Sequence, residues 1–129
     1  MSNDNLLWKV FSEYIRIRDA DENGYIRCAT SGRMVHWKEA DAGHFISRRH
    51  LSTKFDERNV HAQSRHDNRF QSGKQYEFGL FIDKKYGKGT VDKLLVLSRT
   101  TCKRGKFEID AMTEYYKAEV KKLKEMKGL

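Results

Sequence analysis

The chain's 129 residues allow one domain with a modest core and leave no room for a second. With 38% hydrophobic and 34% charged residues it has the balance of a globular protein with a heavily charged surface, and no apolar run approaches the roughly 20 residues that span a bilayer. Lys and Arg outnumber Asp and Glu by 26 to 18, and a formal charge of +8 favours a polyanionic partner, of which nucleic acid is the commonest.

The opening "MSNDNLLWKVF" carries Asp4 and no signal-peptide apolar region, the pattern of a protein that stays in the cytoplasm. Leu7, Val10, Phe11, Tyr14 and Ile15 recur at helical spacing and predict an amphipathic helix over 5–19, ended by the turn-rich "DADENG". From Tyr25 to Phe45 short β-prone pieces follow, "YIRCAT", "MVHW" and "GHFI", broken by "SGR" and "KEADAG". "SRRHLSTKFDER" predicts a loop with at most one helical turn, pinned to the core by Leu51 and Phe55. "SRHDNRFQSG" predicts a short helix with Ser64 as N-cap and Gly73 as its stop.

Three helices complete the chain, at about 75–86, 90–99 behind Thr90 as N-cap, and 108–126. In the last, Met112, Tyr115, Tyr116, Val120 and Leu123 form the expected buried stripe, with lysines opposite. The fold class is therefore α+β and mostly helical. A central β-hairpin plus short helix, a ββα unit over about 25–73, is braced by helices at 5–19 and 75–126. Cys28 and Cys102 lie far apart, form no pair motif, and read as free thiols of a reducing compartment.

The charge is unevenly placed. Between His44 and Lys74, seven cations (Arg48, Arg49, Lys54, Arg58, Arg65, Arg69 and Lys74) stand against Asp56, Glu57 and Asp67, a net +4. That is half the charge of the chain, and four of its five histidines share the window. Within it, "DERNVHAQSRHDNRF" joins imidazoles and carboxamides to the apolar anchors Val60 and Phe70. Such a stretch is either a solvated loop or part of a metal-assisted site.

Phosphodiester hydrolysis needs a base for water, a hard cation against the charge building on the phosphorane and the leaving 3′ oxygen, and positive groups that hold the backbone in line. "EADAGHF" offers His44 at the end of a predicted strand, three residues after Asp41, with an imidazole suited to accept a proton near neutral pH. In "ERNVHAQ", Asn59 can hold a loop or an imidazole in place; in "HDNRF", Asn68 can offer a carbonyl oxygen to a cation. Two oxygen ligands plus waters describe a Mg²⁺ site better than a Zn²⁺ site.

"DAGHFISRR…LSTKFDERNVHAQSRHDNRFQSGK" resembles the core of the phage NinG/Rap recombination proteins, a family that in turn resembles the HNH, or ββα-metal, nucleases. The resemblance runs from "WKVFSEYIRIRDAD" to "AMTEYYKAEVKKLK", and the N-terminal extension of longer family members has no counterpart. It implies that His44 is the general base, that Asn59 tethers the loop and orients that base, and that Asn68 and Asp41 ligate Mg²⁺ or Mn²⁺. It makes His61 a family position with a second-shell or phosphate contact. Arg48, Arg49, Lys54, Arg58, Arg65, Arg69 and Lys74 would meet DNA phosphates.

The family pattern also carries two C-x-x-C pairs that hold a structural Zn²⁺. Here they read "CATS" and "SRHD", so Cys28 remains and Ser31, Ser64 and Asp67 replace its three partners. One thiolate and two hydroxyls cannot make a four-thiolate site. The expectation is a zinc-free knuckle held by packing and by hydrogen bonds from Ser31, Ser64 and Asp67, against a rearranged site of Cys28, His66 and Asp67. "SGK" stands where the family has S-G-N, giving Lys74 a phosphate-seeking charge.

Two functions follow from the resemblance. One is a metal-dependent endonuclease acting on branched DNA, the Holliday junction or D-loop type. The other is a catalytically silent protein that binds junctions or single strands as a recombination accessory. Symmetric cutting of a four-way junction would suit a homodimer, whose contact the last helix could supply, though its Met and Tyr residues serve equally as core.

Overall fold

The computed structural model describes residues 4–70 and 74–129. Helix α1 (Asp4–Arg18) forms where the apolar spacing places it. Leu7, Phe11 and Ile15, four apart, are fully buried. Ile17 joins them from off that stripe, because Ile26, Trp37 and Ala62 enclose the end of the helix on a second side.

Two antiparallel hairpins follow. Strand β1 (Tyr25–Arg27) pairs with β2 (Met34–His36), and after a 3-10 turn at Trp37–Glu39 strand β3 (Ala40–His44) pairs with β4 (Val60–Ser64). Ala40 faces Ser64 and His44 faces Val60 at the two ends of the second hairpin. The sequence predicts β structure only as far as Phe45, reads "KEADAG" as a break, and gives no strand at 60–64. The structure corrects all three points. Every residue of β4 is buried, so the alternation that marks a half-exposed strand is missing. Its polar members bond inside: the Ser64 amide donates to Cys28 Sγ at 3.2 Å and Gln63 Nε2 to Thr30 Oγ1 at 3.1 Å.

The connection from β3 to β4 holds one helical turn, α2 (Leu51–Lys54). Phe55 is buried as expected, but Leu51 is 46% exposed and pins nothing. Helix α3 (Arg65–Phe70) leaves β4 without a loop, and Ser64 caps it by accepting the Asp67 amide at 3.2 Å. Gly73, its expected stop, lies outside the described residues.

Helices α4 (Gln75–Tyr86), α5 (Thr90–Ser98) and α6 (Lys106–Lys127) match their expected spans within two residues. Thr90 is not the cap of α5, since its hydroxyl donates to the Gly87 carbonyl at 2.7 Å. Asp83 of α4 does that work instead, accepting the Val91 amide at 2.9 Å. On α6, Tyr116 and Val120 are buried and Thr113 joins them, whereas Tyr115 is 55% exposed, so the stripe is narrower than expected.

Helix α1 is the centre of the packing. Phe11 meets Phe55 edge-on at 5.5 Å and Tyr116 of α6 at 4.9 Å. Glu57 accepts the hydroxyls of Tyr14 and Tyr116 at 2.9 and 3.1 Å, tying α1 and α6 to the chain before β4. The last turn of α6 closes the arrangement. Lys127 Nζ donates to the carbonyls of Ile17, Arg18 and Ala20 at 2.9, 3.0 and 2.7 Å, putting an ammonium where the C-terminus of α1 leaves carbonyls unpaired. Helices α4 and α5 make a separate cluster of Phe78, Ile82 and Leu94 against Ile46. No described helix is long and apolar enough to cross a membrane.

Candidate active site

Strands β3 and β4 with helix α3 form one β-hairpin–helix unit, and Gly43 sets how closely it packs. A Cβ there would collide with the Gln63 side chain of β4 and stand 3.1 Å from Asn68 Oδ1 of α3, so a larger residue would have to push both side chains aside. Beside this unit opens a cleft of about 680 Å³, walled by Trp8, Ser12 and Arg16 of α1, by Asp41 and His44 of β3, and by Arg65, Asn68 and Arg69 of α3. Among the described residues, Arg16, Lys38, Arg48, Arg65 and Arg69 line it and Asp41 is its only acid.

His44 sits at the end of β3 with its ring stacked on Trp8, centroids 4.8 Å apart and planes 24° from parallel. Its Nε2 lies 2.9 Å from the Lys54 carbonyl, which can only accept, so Nε2 carries the proton and Nδ1 the lone pair. No described side chain or backbone group occupies Nδ1. Burial, helped by the charges of Arg48 and Lys54 and only partly offset by the Lys54 hydrogen bond, lowers the imidazole pKa to about 4. The ring is neutral at pH 7 and keeps a lone pair. Arg48 stands over the same indole, its guanidinium 5.6 Å from the ring centroid.

Asn59 is fully buried. It accepts the Ile46 amide at 2.8 Å and donates to the Ile46 and Thr53 carbonyls at 3.1 and 3.0 Å, while its own carbonyl accepts the Phe45 amide at 2.9 Å. These bonds hold both ends of the β3–β4 connection, including the turn whose Lys54 carbonyl fixes His44. Asn59 does not touch the imidazole; it bonds the loop whose Lys54 carbonyl does.

Asp41 and Asn68 meet across β3 and α3, Asn68 Nδ2 donating to Asp41 Oδ2 at 3.0 Å. Arg69 adds two bonds to the same carboxylate, both at 2.9 Å, from a side chain that is more than half exposed. A carboxylate and a carboxamide opening on a water-accessible cleft are hard oxygen donors of the kind Mg²⁺ or Mn²⁺ takes, with waters completing the shell. In the structure Asn68 turns its nitrogen to Asp41, and Arg69 with Arg65 at 3.9 Å occupies the carboxylate, so an ion would bind this pair only by displacing the arginines and reversing the Asn68 amide. Among the described residues no cluster of three or more His, Cys, Asp or Glu could hold a metal ion, so Asp41 and Asn68 are the donors this cleft offers.

Several expected phosphate contacts lie elsewhere. Lys54 is buried and bound to Asp4 at 2.9 Å. Arg58 is locked to Asp56 in a two-bond pair and lines a different recess, and Arg49 does not line the cleft. Lys74 pairs with Asp67 at 3.5 Å. His61 is fully buried, accepting from Arg18 on Nδ1 at 2.9 Å and donating from Nε2 towards the Arg58 carbonyl and the Tyr86 oxygen, each at 3.2 Å. It cannot touch a phosphate.

The knuckle residues do converge. Cys28 Sγ donates to Asp67 Oδ2 at 3.1 Å and receives the Ser64 amide, while the Ser64 hydroxyl accepts the Asp67 amide at 3.2 Å. Burial would raise the Asp67 carboxyl, but bonds from Ser31, Cys28 and Ser64 and the nearby Lys74 outweigh it and lower the pKa to about 2. An ionised carboxylate is the hub.

Trp8, Arg16 and Lys38 are cleft residues that charge counting along the chain misses. The signal for two of them was spacing: Trp8, Ser12 and Arg16 recur every four residues, one position after the buried Leu7, Phe11 and Ile15, and so form the neighbouring face of α1.

The class is thus a small α+β protein with a β-hairpin–helix unit beside a cation-lined cleft. The family model for the bacteriophage lambda NinG protein matches residues 3–126, and the chain belongs to that family, with a role related to phage recombination. No curated protein and no solved structure matches it.

Proposed function

We propose that the chain is a metal-dependent DNA endonuclease of phage recombination, acting on branched DNA of the Holliday-junction or D-loop type. The observation that carries this reading is one cleft holding a neutral imidazole with a vacant acceptor nitrogen, a carboxylate–carboxamide pair, and a lining rich in arginine. His44 takes the proton of the attacking water on Nδ1, and the Lys54 carbonyl holds the resulting imidazolium through Nε2–H. Arg48 and Arg65 bind the phosphates on either side and keep the scissile bond in line. Asp41 and Asn68 would hold Mg²⁺ or Mn²⁺, which would supply Lewis-acid neutralisation of the charge that develops on the phosphate.

One observation favours the silent accessory reading. Arg69 engages both oxygens of Asp41, so the cleft is electrostatically satisfied at that point without an ion. The discriminating experiment offers junction, flap, single-stranded and duplex DNA with millimolar Mg²⁺ or Mn²⁺. Cleavage that chelator abolishes supports the enzyme; binding without cleavage at any metal concentration supports the accessory protein. Affinity should fall steeply with salt, and Arg48→Ala with Arg65→Ala should flatten that slope by roughly 2, about 0.9 per lost phosphate contact. An unchanged slope places the DNA elsewhere.

A further inference from the structure

Helix α6 carries a second apolar stripe besides the one it buries. Thr113, Tyr116 and Val120 face the core, and helical geometry points Ala118 almost directly away from Tyr116 and Val120. On Ala118's side lie Phe107, Ala111, Tyr115 and Met126, all exposed. Phe107 is 89% and Met126 69% exposed, and neither packs into a core cluster. A lone exposed apolar residue is ordinary, but a line of them along a helix of 22 residues is a face.

The polar residues of this face are ordered about Ala118. Glu114 and Tyr115 stand before it, Lys121 and Lys122 after it, at matching distances along the chain. A second α6 turned end for end about Ala118 sets Glu114 of one copy beside Lys121 of the other and Tyr115 beside Lys122, each twice by symmetry. A parallel copy would set each charge against its own kind. Glu114 and Glu125 balance Lys121 and Lys122, so the face is neutral on a chain of +8, and two copies can meet here without the repulsion felt elsewhere. Ala111 and Ala118 let the helices approach closely. Glu114 also pairs with Lys117 at 3.3 Å within the helix, an exposed contact that contributes little and gives way readily. We infer that this stripe is a self-complementary interface through which two copies of the chain form an antiparallel, two-fold dimer centred on Ala118. The inference is independent of the nuclease reading, because no residue of α6 lines the cleft.

Sedimentation of the full chain across micromolar concentrations, without nucleic acid, tests it. Wild type should pass from monomer to dimer as concentration rises. Ala118→Arg puts a charge on the two-fold axis and should leave monomer only, with circular dichroism showing the fold intact. Glu114→Lys alone, or Lys121→Glu alone, turns both pairs between the copies repulsive and should raise the dimer Kd about tenfold. Mixing those two variants makes both pairs attractive again, and a heterodimer of near wild-type affinity should appear. A wild-type chain that stays monomeric overturns the inference and leaves the stripe to a different partner. A dimer indifferent to Ala118→Arg, or variants that bind no better mixed than apart, overturns this face or this register as the interface.

Discussion

His44 and His61 lie on paired strands of the same small sheet, one residue out of register, and burial drives the imidazole of each downward. Their surroundings part them. His61 has both nitrogens committed, to Arg18 on one side and to Arg58 and Tyr86 on the other, inside a shell of Phe78 and Phe81. His44 commits one nitrogen to a backbone carbonyl, and its ring lines the cleft. The number of ring nitrogens a fold leaves uncommitted, more than the depth of burial, separates a histidine that can do chemistry from one that holds a strand in place.

Paired substitutions sharpen this contrast. His44→Ala should lower the cleavage rate by about 10²–10⁴, with DNA affinity within a few-fold, because a neutral base contributes to the transition state more than to binding. His61→Ala should do the opposite, costing roughly 3 kcal/mol in denaturant unfolding while surviving folded protein keeps its turnover. A stable but inactive His61→Ala protein would reverse the assignment.

The knuckle gives an effect of similar size on stability. Asp67→Ala removes the carboxylate around which Cys28, Ser31 and Ser64 are arranged, and unfolding should show a loss of about 3 kcal/mol. Protein purified without added metal should carry far less than one Zn²⁺ per chain, and chelator should leave its melting temperature unmoved. Stoichiometric zinc that disappears in Cys28→Ser would instead restore the Cys28, His66 and Asp67 site.

The smallest effect is on pH dependence. His44 titrates near 4 in the folded protein against an ordinary 6.5, so between those values the unfolded chain binds more protons. Stability contributed by its neutral burial is whole above about pH 6.5 and drains away as pH falls towards 4. The acidic limb of the cleavage rate should follow the folded value, and Trp8→Ala, by opening the ring to water, should move that limb upward. A wild-type limb centred at 6.5 would mean that some other group is being titrated.

The sequence revealed the long helices well, because α1, α4, α5 and α6 each bury a stripe at helical period. It concealed β4 because that strand buries all five residues, polar ones included, and shows no alternation. Leu51, Phe70 and Tyr115 look like core in composition, and only the orientation of short or solvent-edged elements turns them outward. Asp41, His44 and Asn68, singled out by residue type and by the family resemblance, line one cleft, whereas Asn59 is buried away from it. Lys54 lies away from the cleft because a charge counted along the chain says nothing of Asp4, fifty residues away, that pairs with it; His61 is buried, which its place in a charged stretch does not reveal.

Helix α1 supplies one wall of the cleft, and α6, through Tyr116 and the triple bond of Lys127, is what holds α1 down. No residue of α6 lines the cleft, so its hold on that wall is exerted at a distance. A substitution at Lys127 that loosened the end of α1 would be felt at Trp8, the indole against which His44 is stacked.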